Sequence, residues 1–178
     1  SEQNLANASL TSSTLTNANL AGAVVTGAYF RYTTSRGFTK AQLESTSSYQ
    51  AKNLQGISLS QNNLSGWDFS GQDLTNAYLN SSTLTNANLA GADLTNASLT
   101  RSTLINANLT GADMRGALDL DLTGATSDNA ILPDGRIAGL NLAAGGQLVV
   151  RDDDGVGDPP PAFWVKPRQS IAITVQDH

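Results

Sequence analysis

Large apolar residues recur at every fifth position along two stretches of the chain. Leu5, Leu10, Leu15, Leu20, Val25 and Phe30 form the first series. The second starts at Leu54 and runs through Leu59, Leu64, Phe69 and Leu74 to Leu109 and Met114. A period of five is neither the 3.6 of a helix nor the 2 of a strand. A longer repeat lies over the short one. LTNAYLNSSTLTNANLAGADL, from Leu74 to Leu94, returns twenty residues later as LTNASLTRSTLINANLTGADM, and LANASLTSSTLTNANLAGAVV stands near the start. A fixed short period inside a fixed longer one predicts units that stack on their neighbours to complete a core. Two positions before many of the apolar residues sits an alanine, among them Ala18, Ala77, Ala87, Ala92 and Ala112.

The motif Ala-(Asn/Asp)-Leu-x-x, present as Ala18-Asn19-Leu20, Ala92-Asp93-Leu94 and Ala112-Asp113-Met114, resembles the pentapeptide-repeat family. The resemblance covers residues 3–30 and 52–117. It implies an all-β fold: a right-handed quadrilateral β-helix of about five coils, one pentapeptide to each side of a square. The physical reading agrees. The large apolar residue fills the square, and the small one points inward at a corner. Twenty residues make one coil, so equivalent residues stack at the strand–strand spacing of about 4.8 Å. Face 1 carries Leu5, Val25, Leu54, Leu74, Leu94 and Met114, and face 2 carries Leu10, Phe30, Leu59, Leu79 and Leu99. Faces 3 and 4 follow five and ten residues later. Asn76, Asn96, Gly91 and Gly111 stand at corners, where turn conformations are needed.

Four segments result: a first β-helical part at 1–30, a loop and helix insertion at 31–53, a second β-helical part at 54–117, and a C-terminal β-rich region at 118–178. Thr39 to Gln42 has the form of a capping box, predicting a helix over about 39–49 with Phe38 and Leu43 as anchors. The coil after the insertion has Lys52, Ile57, Asn62, Trp67 and Gln72 at its inward corner positions instead of alanine. An indole is too large for that corner, so Trp67 is expected to swing outward or to pack against the inserted helix. It is also a candidate interaction residue. Beyond Met114, Leu118, Leu120 and Leu122 alternate as in a strand, and 136–142, 147–152 and 170–175 are further strand candidates. A small β-cap over the last coil is the expectation, because a bare solenoid end exposes backbone and core.

Composition narrows the chemistry. Only 14% of residues are charged, against about 25% in ordinary domains. The net charge of −5 speaks against a nucleic-acid binder. With no cysteine, and His178 the sole histidine, thiolate chemistry and Ser/His triads are excluded. No apolar run reaches the ~20 residues of a membrane span. Nothing has the form of a nucleophile–base pair, a P-loop or a dinucleotide fingerprint, so no catalytic residue and no organic cofactor is assigned. Asp73, Asp93 and Asp113 share one outward position on face 1, where neighbouring carboxylates repel unless donors or cations offset them. They are candidate interaction residues. Asp152, Asp154 and Asp158 are the candidate Ca²⁺ ligands, in a glycine-containing acidic loop that lacks the EF-hand spacing.

The reading of function is a non-enzymatic structural or protein-interaction module. It is expected to be part of a larger bacterial extracellular or periplasmic protein, with an unidentified protein partner and a monomeric or end-to-end dimeric state. The chain opens at Ser1, mid-pattern, which reads as a processed or cut N-terminus. The family also contains members that imitate DNA and bind gyrase, so an intracellular topoisomerase modulator is the alternative. Against it, nine of the fifteen acids lie at or beyond Asp119, outside the repeats.

Overall fold

The computed structural model describes residues 3–139 and two short strands, 147–149 and 162–164. Residues 1–139 and 140–178 form two separate units.

In the first unit the backbone turns every five residues, four times in each twenty-residue circuit. Successive circuits pair in parallel: Asp73 with Asp93, Asp93 with Asp113, Thr83 with Thr103, Asn88 with Asn108. The pairing bonds run along the stack. The N–H of Leu74 donates to the carbonyl of Asp93 at 2.7 Å, and that of Leu94 to Asp113 at 2.7 Å. Each corner closes with a short turn, as where the Ala77 N–H reaches the Leu74 carbonyl at 2.9 Å. The corner residue takes a left-handed backbone, with φ of 58° at Asn76 and 63° at Gly91. Asparagine and glycine accept that conformation at little cost. The leucines at the side centres are fully buried from Leu54 to Leu94, with Ala77, Ala87 and Ala97 closing the corners. Leu5 and Leu10, on the first circuit, are only partly covered.

The insertion is part of the wall. Tyr29 pairs with Ser58, nine residues further on than the twenty-residue step would give. The surplus folds into a 3-10 turn at Thr34–Arg36, helix α1 at Lys40–Glu44 and helix α2 at Ser47–Gln50. A single helix over 39–49 was the expectation. The chain breaks it at Ser45, and the Thr46 side chain caps α2 by accepting the Tyr49 N–H. The Thr39–Gln42 capping box starts α1. Phe38 and Leu43 are buried as anchors. Phe38 stacks on Phe30 with ring centroids 4.6 Å apart. The edge of the first circuit is satisfied too: the Leu15 N–H donates to Arg36 and the Gly22 N–H to Ser45, both at 2.8 Å.

Further features differ from the sequence expectation. Lys52 is not an inward corner residue: it is exposed, with φ of 59°. Leu118, Leu120 and Leu122 do not form a strand. Leu118 still pairs with Ser98 and is 58% exposed, while Asp119, at the position of a buried leucine, turns with φ of 50°. The coil then continues two residues short, pairing Asn108 with Thr126 and Asp113 with Ile131. The stack therefore runs past residue 117 and exceeds the five coils expected. The expected strand at 136–142 does not form over its described residues: Ile137 alone bridges antiparallel to Ile131, and the chain turns at Ala138 and Gly139.

In the second unit β1 (Gln147–Val149) pairs antiparallel with β2 (Ala162–Trp164), Leu148 opposite Phe163. β1 lies within the expected strand 147–152. β2 had no sequence signal, and the candidate at 170–175 lies outside the described residues.

Candidate functional site

The acidic row on face 1 forms as spaced. Asp73, Asp93 and Asp113 sit on consecutive rungs. Each carboxylate, however, is taken up by its own turn. Oδ1 of Asp73 accepts the Thr75 N–H at 3.0 Å, that of Asp93 the Thr95 N–H at 2.9 Å, and that of Asp113 the Arg115 N–H at 3.1 Å. Gln55 also donates to Asp73, and Arg115 pairs with Asp113 at 2.7 Å. Asn4, Asn53, Asn88 and Asn108 make the same two-residue contact in neutral form. The bond, rather than the charge, is what this position requires. On face 4 the Ser70 N–H likewise holds the Asp68 carboxyl below its ordinary range.

The insertion meets the coil through aromatic and amide contacts. Trp67 is 8% exposed, edge-on to Phe38 at 5.6 Å and close to Phe69 at 6.2 Å. It neither swings outward nor stacks on the inserted helix itself: its ring partner in the insertion is Phe38, just ahead of α1. A shallow cleft of about 420 Å³ lies beside it, lined by Thr34, Thr39, Lys40 and Asn63. Asn62, one side earlier, is buried and bonded in four directions. Its Oδ1 accepts the N–H groups of Thr33 and Thr34 at 2.8 and 2.9 Å. Its Nδ2 donates to the carbonyls of Phe30 and Leu59 at 2.7 and 3.0 Å. Tyr49, on α2, donates its hydroxyl to the Asp68 carbonyl at 2.7 Å. Burial pushes its phenol up to about 12, helped by the Asp68 and Glu44 carboxylates.

Face 2 carries a row that sequence reasoning missed. Ser9, Tyr29, Ser58, Tyr78, Ser98 and Leu118 follow one another rung by rung. Tyr29, Tyr78 and Leu118 are about half exposed, and with Tyr32 they make up most of the exposed large apolar side chains among the described residues. The insertion hides the row in the sequence by lengthening one step of it.

Among the described residues no group of three or more histidine, cysteine or acidic side chains converges to hold a metal ion. Among them, too, no helix is long and apolar enough to cross a membrane. Asp152, Asp154 and Asp158 lie outside the described residues.

The family of pentapeptide repeats matches in eight copies, over residues 1–33, 53–89 and 82–118. HetL from the cyanobacterium Nostoc, a pentapeptide repeat protein involved in heterocyst differentiation regulation, is 30% identical, with a TM-score of 0.33. That match covers 77% of this chain and 58% of HetL. QnrB1, a plasmid-mediated fluoroquinolone resistance protein, is 17% identical with a TM-score of 0.43, over 74% of this chain and 70% of that one. Rfr23 from the cyanobacterium Cyanothece is 23% identical with a TM-score of 0.29, over 76% and 81%. No curated protein matches the chain.

Proposed function

Because the chain belongs to the pentapeptide-repeat family, we propose that it is a non-enzymatic protein-interaction module, working as a stiff piece of a larger bacterial extracellular or envelope protein. The supporting observation is the rung-by-rung register, which holds equivalent exposed side chains at one fixed spacing on each face of the coil. A surface of that kind needs no moving part: binding groups on rigid ladders lose little entropy when a partner docks. The right-handed sense expected of the family goes with this reading. Extracellular placement rests on the Ser/Thr/Asn-rich surface and the lack of cysteine. An antibody blot of fractionated source cells tests it. A band far larger than 18.5 kDa in the secreted or envelope fraction supports the reading, and a cytosolic band of that size overturns it.

The intracellular alternative draws on the Asp73–Asp93–Asp113 row, which repeats negative charge at regular spacing as a DNA mimic would. A gyrase supercoiling assay with and without a quinolone decides it: no effect at saturating protein removes the alternative. For Asp152, Asp154 and Asp158, melting curves that coincide in EDTA and in excess Ca²⁺ would remove the cation.

A further inference from the structure

The tyrosine row on face 2 has a spacing, a charge and a width that together select a ligand. Rungs lie about 4.8 Å apart, so Tyr29 and Tyr78, two rungs apart, are separated by about 10 Å, as are Tyr78 and Leu118. Small serines, Ser58 and Ser98, occupy the rungs between. The result is a flat strip with a large apolar side chain at every second step.

The charge on this strip differs from that of the rest of the molecule. Arg31 and Arg101 lie along it, and the segments of its first five rungs, 8–12, 28–32, 57–61, 77–81 and 97–101, contain no acid, in a chain of net charge −5; the sixth, 117–121, holds Asp119 and Asp121. Arg31 spends its Nε–H on Gln61 at 2.8 Å, which leaves the guanidinium's other donors for a ligand. The first acid on this side is Asp119 at the far end, where it accepts the Thr100 hydroxyl at 3.1 Å. The first five rungs, which hold both tyrosines and both arginines, therefore complement negative charge.

Area excludes a broad partner. Three residues across and six rungs long, the strip measures about 10 by 25 Å, or about 250 Å². A stable protein interface takes about 800 Å² from each side. A second copy or a globular partner would have too little to hold, whereas one extended polymer chain fits. An extended peptide is disfavoured by the backbone: the coil's N–H and C=O groups pair along the stack, so the face offers no ladder edge for strand addition. Sugar rings need no such edge. Their flat C–H faces stack on tyrosine, and in an extended β-1,4-linked chain equivalent faces recur every second sugar, at a spacing close to that of the tyrosines.

We propose that face 2 binds a single extended β-linked polysaccharide chain bearing carboxylates, stacked on Tyr29 and Tyr78 and paired with Arg31 and Arg101. This site adds a ligand to the interaction reading above and does not depend on it.

Calorimetric titration of the full chain with a β-1,4-linked mannuronate hexamer tests the site, alongside the neutral glucan hexamer and poly-L-glutamate. Saturable binding of the mannuronate hexamer is expected, weakening as salt rises. Tyr78→Ala should weaken it about tenfold or more. Arg101→Gln should weaken the mannuronate hexamer and leave the neutral hexamer unchanged. Tyr78 is half exposed, so its removal should leave the melting curve intact. Should it not, Tyr29→Ala carries the same expectation. Absence of binding at millimolar hexamer overturns the proposal, as does binding that survives both tyrosine variants. Poly-L-glutamate binding as tightly and competing would give the strip to an acidic protein segment, which also overturns it.

Discussion

Asn62 and Thr33 are bonded across the insertion: the Asn62 Oδ1 accepts the buried Thr33 N–H at 2.8 Å. The same oxygen takes the Thr34 N–H, so one carboxamide closes the wall where the regular ladder is interrupted. Asn62→Ala strands both donors, while the Phe30 and Leu59 carbonyls keep bonds from Thr33 and Ser82. Leaving one buried and one partly buried donor unpaired costs about 2–4 kcal/mol here. Ser82→Ala leaves the Leu59 carbonyl its bond from Asn62 and strands one donor, the Asn62 N–H that its hydroxyl accepts at 3.4 Å, so it should cost about half as much, about 1–2 kcal/mol. Urea unfolding of the two variants checks the difference.

Gln72 points to the opposite outcome. It is fully buried, and its Oε1 has no hydrogen-bond partner. Its Nε2 donates to the Tyr49 carbonyl at 3.1 Å, but that carbonyl also accepts the Lys52 N–H. Gln72→Met keeps the volume and removes the orphaned acceptor. It should be neutral or raise stability by up to about 1 kcal/mol, read from the same urea midpoint.

Gly37 ends the 3-10 turn with φ of 91°. A Cβ there would lie 2.7 Å from the Thr16 nitrogen and 2.8 Å from its Cα, both backbone atoms. Gly37→Ala combines a left-handed backbone with that overlap and should cost about 2 kcal/mol or more. Gly91→Ala is the control: nothing lies within 4 Å of its Cβ position, so only the backbone cost of about 1 kcal/mol remains. Melting temperatures of the pair separate overlap from backbone conformation.

Position along the stack should set the cost of a core truncation. Leu84 is fully buried between two neighbouring rungs, and Leu84→Ala should cost about 3–5 kcal/mol. Leu5, on the first circuit, is only partly covered, so Leu5→Ala should cost less than half as much. Equal losses at both sites in calorimetry would refute a stack whose stability sums over neighbouring coils.

Alkaline stability should report on Tyr49. Its folded phenol ionises near 12, above the ordinary value of 10.0, so the unfolded chain loses that proton first. The stabilisation is complete below pH 10 and is lost as pH rises from there toward 12. Tyr49→Phe removes that slope along with the bond to the Asp68 carbonyl. Melting temperatures between pH 9 and 12 should fall less steeply for the variant. Parallel curves would show that Tyr49 does not control the decline.

The coil was legible because its period is strict: a leucine every fifth residue leaves one way to bury them all. The Asn and Gly corners were legible for the same reason, since a left-handed residue is needed at each. Asn62 was not, because its corner normally holds a small residue and its partners belong to a segment with no period. Lys52 was misread by carrying the period backward into the insertion, where α2 shifts the phase. At Leu118 an apolar and an acidic residue exchange places, which mimics strand alternation and conceals a coil that goes on. The acidic row was legible in position but not in purpose: each Asp does for its turn what Asn88 and Asn108 do without charge.

The pairing of Tyr29 with Ser58, and of Asn108 with Thr126, shows what the coil counts. It tolerates a circuit that is nine residues long or two short, provided the chain returns to the same side one rung higher. Length is thus conserved modulo a turn, like the hour on a clock face. Gain or loss of a whole twenty-residue circuit by unequal recombination leaves every remaining side chain on its own face and changes only the height. The near-identical text at Leu74–Leu94 and Leu94–Met114 is what such a copying event would leave behind. A slip of five or ten residues would instead rotate everything beyond it by one or two sides, carrying the tyrosine row and the acidic row onto new faces while the core stayed intact. A molecule built this way can change its surface without changing its interior.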